Sequence, residues 1–164
     1  MQGGVAGLGG SPHVQAPPDR ERDRRMSSED EVRAASARFY EALSRLDISQ
    51  LQDVWSQSNT VTTMHPMGGE EVGWPEVRTS FEQAAGAMSD MHVELADQRI
   101  QTGEDLAYET GIERGRAKVA GEQIEIEHRV TNVYRREGGQ WKMVHHHTDI
   151  SPAIVEVLRR LQAA

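Results

Sequence analysis

The sequence predicts an α+β fold in which helices come first and an antiparallel sheet follows. Three observations carry this. Apolar residues recur at helical spacing as far as Gly86, they recur at every second residue from Met91 onward, and turn pairs such as Gly138-Gly139 separate the alternating runs. In that order the helices cover one face of a curved sheet.

Ser28 followed by Glu31 reads as a capping box, and Val32, Ala35, Phe39, Leu43 and Leu46 then share one face, giving a first helix from about 29 to 46 that stops at Asp47. A short second helix runs from Ile48 to Trp55. The β-branched run Thr60 to Met64 predicts a strand, ended by Pro66 and Gly68-Gly69. Pro75 opens a third helix, with Val77, Phe81, Ala84 and Ala85 on its apolar side. Four alternating runs follow. Met91, Val93 and Leu95 mark the first, and Leu106, Tyr108, Thr110 and Ile112 the second. Ile124, Ile126, His128, Val130, Asn132 and Tyr134 mark the third, and Trp141 to Asp149 form the fourth. They predict a four- or five-stranded meander, with turns at 103–105, at 120–122 and at Glu137-Gly138-Gly139-Gln140, where glycine accepts the positive φ of a tight hairpin. Ala153 to Leu161 predicts a short last helix. Residues 1–26, rich in Gly, Pro and Arg without apolar period, read as a disordered tail before a single domain at 27–164. Met26 offers an alternative translation start.

Composition narrows the function. The chain has 164 residues, 18 basic against 26 acidic, a net charge of −8 and no cysteine. Thiolate chemistry and cysteine-ligated metals are therefore excluded. With no basic stripe interleaved with aromatics, no nucleic-acid partner is expected. No apolar run reaches the roughly 18 residues of a membrane span and no secretory leader is recognisable, so no membrane partner and a cytoplasmic address are expected.

Three local marks occur in order: Arg38-Phe39-Tyr40-Glu41-Ala42-Leu43, then Met64-His65-Pro66-Met67-Gly68 with Gly73-Trp74, then Thr131-Asn132-Val133-Tyr134-Arg135-Arg136 ahead of Trp141 and a histidine run. Together with the element order they resemble the nuclear-transport-factor-2-like (NTF2-like) cone fold, in its ketosteroid-isomerase and SnoaL-like branch. The resemblance implies a curved antiparallel sheet covered on one side by three helices, and a cone holding a small apolar organic substrate. By position it places His65 where the family's proton-abstracting carboxylate sits, Asn132 where an oxyanion-binding Asp sits, and Phe39 where an oxyanion-binding Tyr sits, with Tyr40 one residue on. An imidazole with an ordinary titration near 6.5 serves as a base at neutral pH. An amide N–H from Asn132 serves an oxyanion. A homodimer is expected, because the far face of such a sheet is left half covered.

The run His145-His146-His147-Thr148-Asp149 adds a second candidate cluster. Uninterrupted alternation aligns Trp141, Met143, His145, His147 and Asp149 on one face, opposite Tyr134, Asn132, Val130 and His128 of the preceding strand, whereas a one-residue bulge at Gly138-Gly139 would place Thr131 and Arg129 opposite His145 and His147 instead. That face has three readings: a metal site at His128, His145 and His147, pocket walls in which Asp149 fixes a tautomer, or rings that bridge strands or a dimer. The run from Trp141 to Thr148 also resembles the ending of iota-class carbonic anhydrases, which share the fold and work with or without metal; CO2 hydration is what that similarity implies. Trp55 and Trp74 read as core or pocket-mouth aromatics.

The sequence thus points to an acid–base enzyme, an isomerase, cyclase or dehydratase, acting on an apolar carbonyl compound. His65, Asn132, Tyr40, His145 and His147 are its candidate catalytic residues. Phe39, Trp55, Trp74, His128, Tyr134, Met143 and Asp149 are candidates for substrate binding. No cofactor is expected. A non-catalytic ligand-binding or association module is the remaining alternative.

Overall fold

The structure is a computed structural model, and it describes residues 26–163. Apart from Met26, the expected tail lies outside the described residues. Four helices, α1 (Ser28–Arg45), α2 (Ile48–Val54), α3 (Trp74–Ala87) and α4 (Pro152–Gln162), pack around six strands: β1 (Thr62–Met64), β2 (Glu71–Val72), β3 (Met88–Thr102), β4 (Leu106–Val119), β5 (Glu122–Glu137) and β6 (Gln140–Thr148). The sheet order is β2-β1-β6-β5-β4-β3. This is the predicted α+β cone. It differs in that β1 runs parallel to β6, which makes the sheet mixed, and β2 pairs outside it.

The α1 cap sits one residue earlier than predicted. Ser27 accepts from the Asp30 N–H, and the Asp30 side chain returns to the Ser27 N–H. Two adjacent serines, each followed three residues on by an acid, satisfy the same pattern. Arg136 stacks over Trp141 at 4.4 Å and both donate to Glu31, which ties α1 to the sheet.

Curvature comes from β3 and β4. Bulges interrupt β3 between Ser89 and His92 and between Ala96 and Arg99, where Asp90 and Asp97 take positive φ. Gly111 and Gly115 of β4 lie against those breaks. A Cβ at Gly115 would stand 1.9 Å from the His92 carbonyl oxygen, so only glycine lets the two backbones approach there. Between them, the inward face of β4 is the reverse of the predicted one: Leu106 and Tyr108 are exposed, while Ala107, Glu109, Glu113 and Ala117 are buried. The larger apolar side chains on β4 point outward, and two carboxylates point in.

β5 faces as predicted, with Ile124, Ile126, His128, Val130, Asn132 and Tyr134 all buried. β6 does not. Its register follows the two-residue hairpin through Glu137/Gln140, Arg136/Trp141 and Tyr134/Met143, then slips by one residue at Val144. Beyond that bulge Val133 pairs with His145, Asn132 with His146 and Thr131 with His147. A single extra residue flips every later side chain. His146 and Thr148 turn into the cone, while His145 is half-buried and His147 exposed on the outer face.

α4 does more than the predicted short helix suggested. Ser151 caps it and donates its own N–H to the Pro66 carbonyl at 2.7 Å, Ile154 and Val157 are buried, and Arg160 pairs with Glu122. It closes the mouth of the cone.

Candidate functional site in the cone

β1 alternates inward at Val61, Thr63 and His65, so the residue before Pro66 enters the cone. His65 Nε2 lies 2.8 Å from Ser80 Oγ on α3. The Ser80 hydroxyl spends its one proton on the Val77 carbonyl, at 2.7 Å, so it accepts from His65 Nε2–H. This fixes the tautomer and leaves Nδ1 as a bare acceptor. Phe81 packs edge-on against the ring, 5.0 Å between centroids. Burial, with His146 nearby and against the opposing pull of Glu113, lowers the His65 pKa to about 4 rather than leaving it near 6.5 as the sequence suggested. The ring is neutral at neutral pH. Glu71, whose carboxyl is raised by burial, holds an oxygen 3.9 Å from Nε2.

Behind His65 lies a buried polar web. Asn132 Nδ2 donates to Glu109 Oε1 at 2.8 Å and to Tyr40 Oη at 3.2 Å, and its Oδ1 accepts from His146 Nδ1 at 2.7 Å. Tyr40 passes its own proton to Glu113 Oε1 at 3.0 Å, and His128 Nε2 lies 2.7 Å from Glu113 Oε2. Tyr134 donates to Glu109 Oε1 at 2.6 Å, and Gln98 to Glu109 Oε2 at 2.7 Å. Burial pushes Glu113 up, yet the His128 hydrogen bond, the neighbouring His146 and the Tyr40 hydroxyl outweigh it and hold the carboxyl below its ordinary value. Burial raises both tyrosines, Tyr40 and Tyr134, so they remain protonated donors. Burial likewise brings His146 down to about 4.

A small, narrow cavity of about 50 Å³ opens above this web. Leu51, Phe81, Met91, Ile126 and Ile154 are among its apolar walls, and His65, His146, His128 and Glu113 form its polar end. A few polar groups converging in an apolar hollow are what a small-molecule site requires.

The predicted residues therefore divide. His65 and His128 reach the cavity. Asn132 and Tyr40 do not line it: they stand behind His146 and Glu113 and orient them. Phe39, Trp55, Tyr134 and Met143 are wholly buried core, and Trp74 packs 6.3 Å from Trp55. His145 bonds Thr62 Oγ1 at 2.7 Å on the outer face, with His147 beside it. Asp149 does not meet His128; it pairs with exposed Arg129, whose hydrogen bonds lower its carboxyl to about 2. A metal at His128, His145 and His147 is ruled out as a single cluster, because His128 points inward and the other two outward. Among the described residues no group of three or more histidines and carboxylates is arranged for a metal. Sequence reasoning missed Glu109, Glu113, His146 and Ser80. The carboxylates on β4, at i and i+4, carried a signal: with glycines at 111 and 115 they form a strand face of their own.

Among the described residues no helix is long and apolar enough to cross a membrane. No curated protein matches the chain. Solved structures share its fold. One is a candidate dehydratase of the NTF2-like family from Streptomyces avermitilis, 23% identical, with a TM-score of 0.68 over 76% of this chain and 96% of that one. Another is an NTF2-like superfamily protein from Salmonella enterica, 19% identical, with a TM-score of 0.69 over 74% and 89%. A third is a candidate aromatic ring hydroxylase from Novosphingobium aromaticivorans, 19% identical, with a TM-score of 0.66 over 77% and 92%. None of these supports the carbonic-anhydrase likeness of β6. The SnoaL-like domain model matches residues 32–154, which runs from α1 through the whole sheet to the start of α4. The chain belongs to the SnoaL-like domain family, on the NTF2-like fold.

Proposed function

We propose that the chain is an acid–base enzyme, an isomerase, cyclase or dehydratase in type, that moves a proton on a small apolar carbonyl compound held in the cone. The observation that carries this is the Ser80–His65 bond, which leaves Nδ1 unprotonated on a ring that lines a cavity of largely hydrocarbon walls, with His146, His128 and Glu113 as its other polar members. Nδ1 takes a proton from carbon, and the imidazolium so formed lies in the field of the Glu113 carboxylate, which stabilises it. Burial disfavours that imidazolium, so the proton is readily returned to another carbon or to a departing hydroxyl. Tyr40 and Asn132 act through Glu113 and His146, as positioning residues rather than as the oxyanion donors first expected. The candidate dehydratase among the structural neighbours supports the elimination variant only as far as a shared fold allows. Exposed Leu106 and Tyr108 on the outer face support a second copy of the chain as partner.

The test is hydrogen exchange. Small enolisable cyclic ketones incubated with the protein in D2O should gain deuterium at the α carbon, and His65→Ala should lower the rate at least about 100-fold. Undiminished exchange in a folded His65→Ala protein removes His65 from the mechanism.

A further inference from the structure

The polar end of the cavity is rich in acceptors, because its side chains spend their protons on one another. His65 gives its ring proton to Ser80 and His146 gives its own to Asn132. Tyr40 and His128 both give theirs to Glu113, which is charged. What remains without a partner on these cavity-lining rings is His65 Nδ1 and His146 Nε2, each a lone pair, together with His128 Nδ1. His146 Nε2 stands 4.0 Å from Glu113 Oε1, one acceptor facing another. The rings are close, 6.5 Å between centroids. Acceptors held in a dry pocket cost free energy until a donor meets them, and the protons of Tyr40, Tyr134 and the Asn132 amide are already given to Glu113, Glu109 and Tyr40.

We infer that the cavity selects ligands by hydrogen-bond polarity: it takes a compound with an apolar body and a hydroxyl head that donates into the His65, His146 and Glu113 cluster, and it discriminates against the same body ending in an ether oxygen. A neutral hydroxyl fits better than an ammonium because the walls are hydrocarbon and a full charge would lose its hydration there. The inference rests on the cavity being the ligand site, as proposed above, and narrows the substrate to a hydroxylated carbonyl compound. It requires no turnover.

The probes are 4-methylphenol, 4-methylanisole and toluene, which share one body and differ in the head. Calorimetry at neutral pH should show 4-methylphenol binding at least about tenfold tighter than either of the others. Equal affinities, a preference for the ether, or no binding of the phenol up to about 10 mM overturns the inference. Long-range proton–nitrogen NMR on histidine-labelled protein tests its basis independently. His65 should appear as the Nε2–H tautomer and His146 as the Nδ1–H tautomer; either ring in the opposite tautomer, or His146 as an imidazolium, overturns it. A tenfold preference with no α-carbon exchange would sink the catalytic reading and leave this one standing.

Discussion

Glu113 and His128 are register partners on β4 and β5, joined at 2.7 Å with both side chains more than nine-tenths buried. The pair anchors the polar end of the cone, and its energetics follow from burial. The imidazole is the first of the groups that offset the burial of the carboxylate, with His146 and the Tyr40 hydroxyl adding to it.

Replacing His128 by Leu strands a charged carboxylate in the interior and should cost about 3–5 kcal/mol, read from urea unfolding. The double replacement Glu113→Leu with His128→Leu should recover most of that loss. A single variant as stable as the parent would show that the pair does not carry the charge assigned to it.

Stability should fall with acid in a defined window. His65 and His146 each titrate near 6.5 when unfolded and at about 4 in the cone. Between those values the unfolded chain binds more protons, so the contribution is complete above pH 6.5 and is lost as pH drops toward 4. The loss is up to ~3 kcal/mol per ring. Urea midpoints should decline steadily across that window, and His146→Gln should flatten the slope.

Alpha-proton exchange should follow the state of His65. A base is active when unprotonated, so the rate should be level from neutral pH down to about 5 and halve near pH 4. A midpoint near 6.5 instead would mean that the ring titrates as if in water.

Three glycines should respond in three ways. Gly115→Ala forces a Cβ to within 1.9 Å of the His92 carbonyl oxygen and should cost more than about 3 kcal/mol. Gly121→Ala meets no neighbour but keeps a φ of +85°, and should cost about 1 kcal/mol. Gly86→Ala, in the last turn of α3 with open space around it, should gain about 0.5 kcal/mol. Melting temperatures of the three variants check the order.

Much of this architecture was legible in the residues. The β5 face was read correctly because its buried side chains are large and its alternation is unbroken. On β4 the period was equally clear but its sense was inverted: Leu106 and Tyr108 outweigh Ala107 and the two glycines on any hydrophobic scale, and a buried carboxylate looks like a solvated one until its partners are known. The bulge at Val144 had no local mark, since Met143, Val144 and His145 carry no glycine or proline. It alone exchanged His146 for His145 and His147. The place of His65 was legible from Pro66 and the resemblance of its surroundings, whereas its tautomer depends on Ser80, fifteen residues away on another element.

β1 and β6 come from opposite ends of the domain: Thr62 meets His145 across a separation of 83 residues. Closing so long a loop costs chain entropy well before its contacts repay it, so this pairing belongs to the slow part of folding. His65 and His146 face one another only once that seam is zipped. A nascent or half-collapsed chain therefore lacks the polar end of the cone, which takes shape only when β6 has been made and paired.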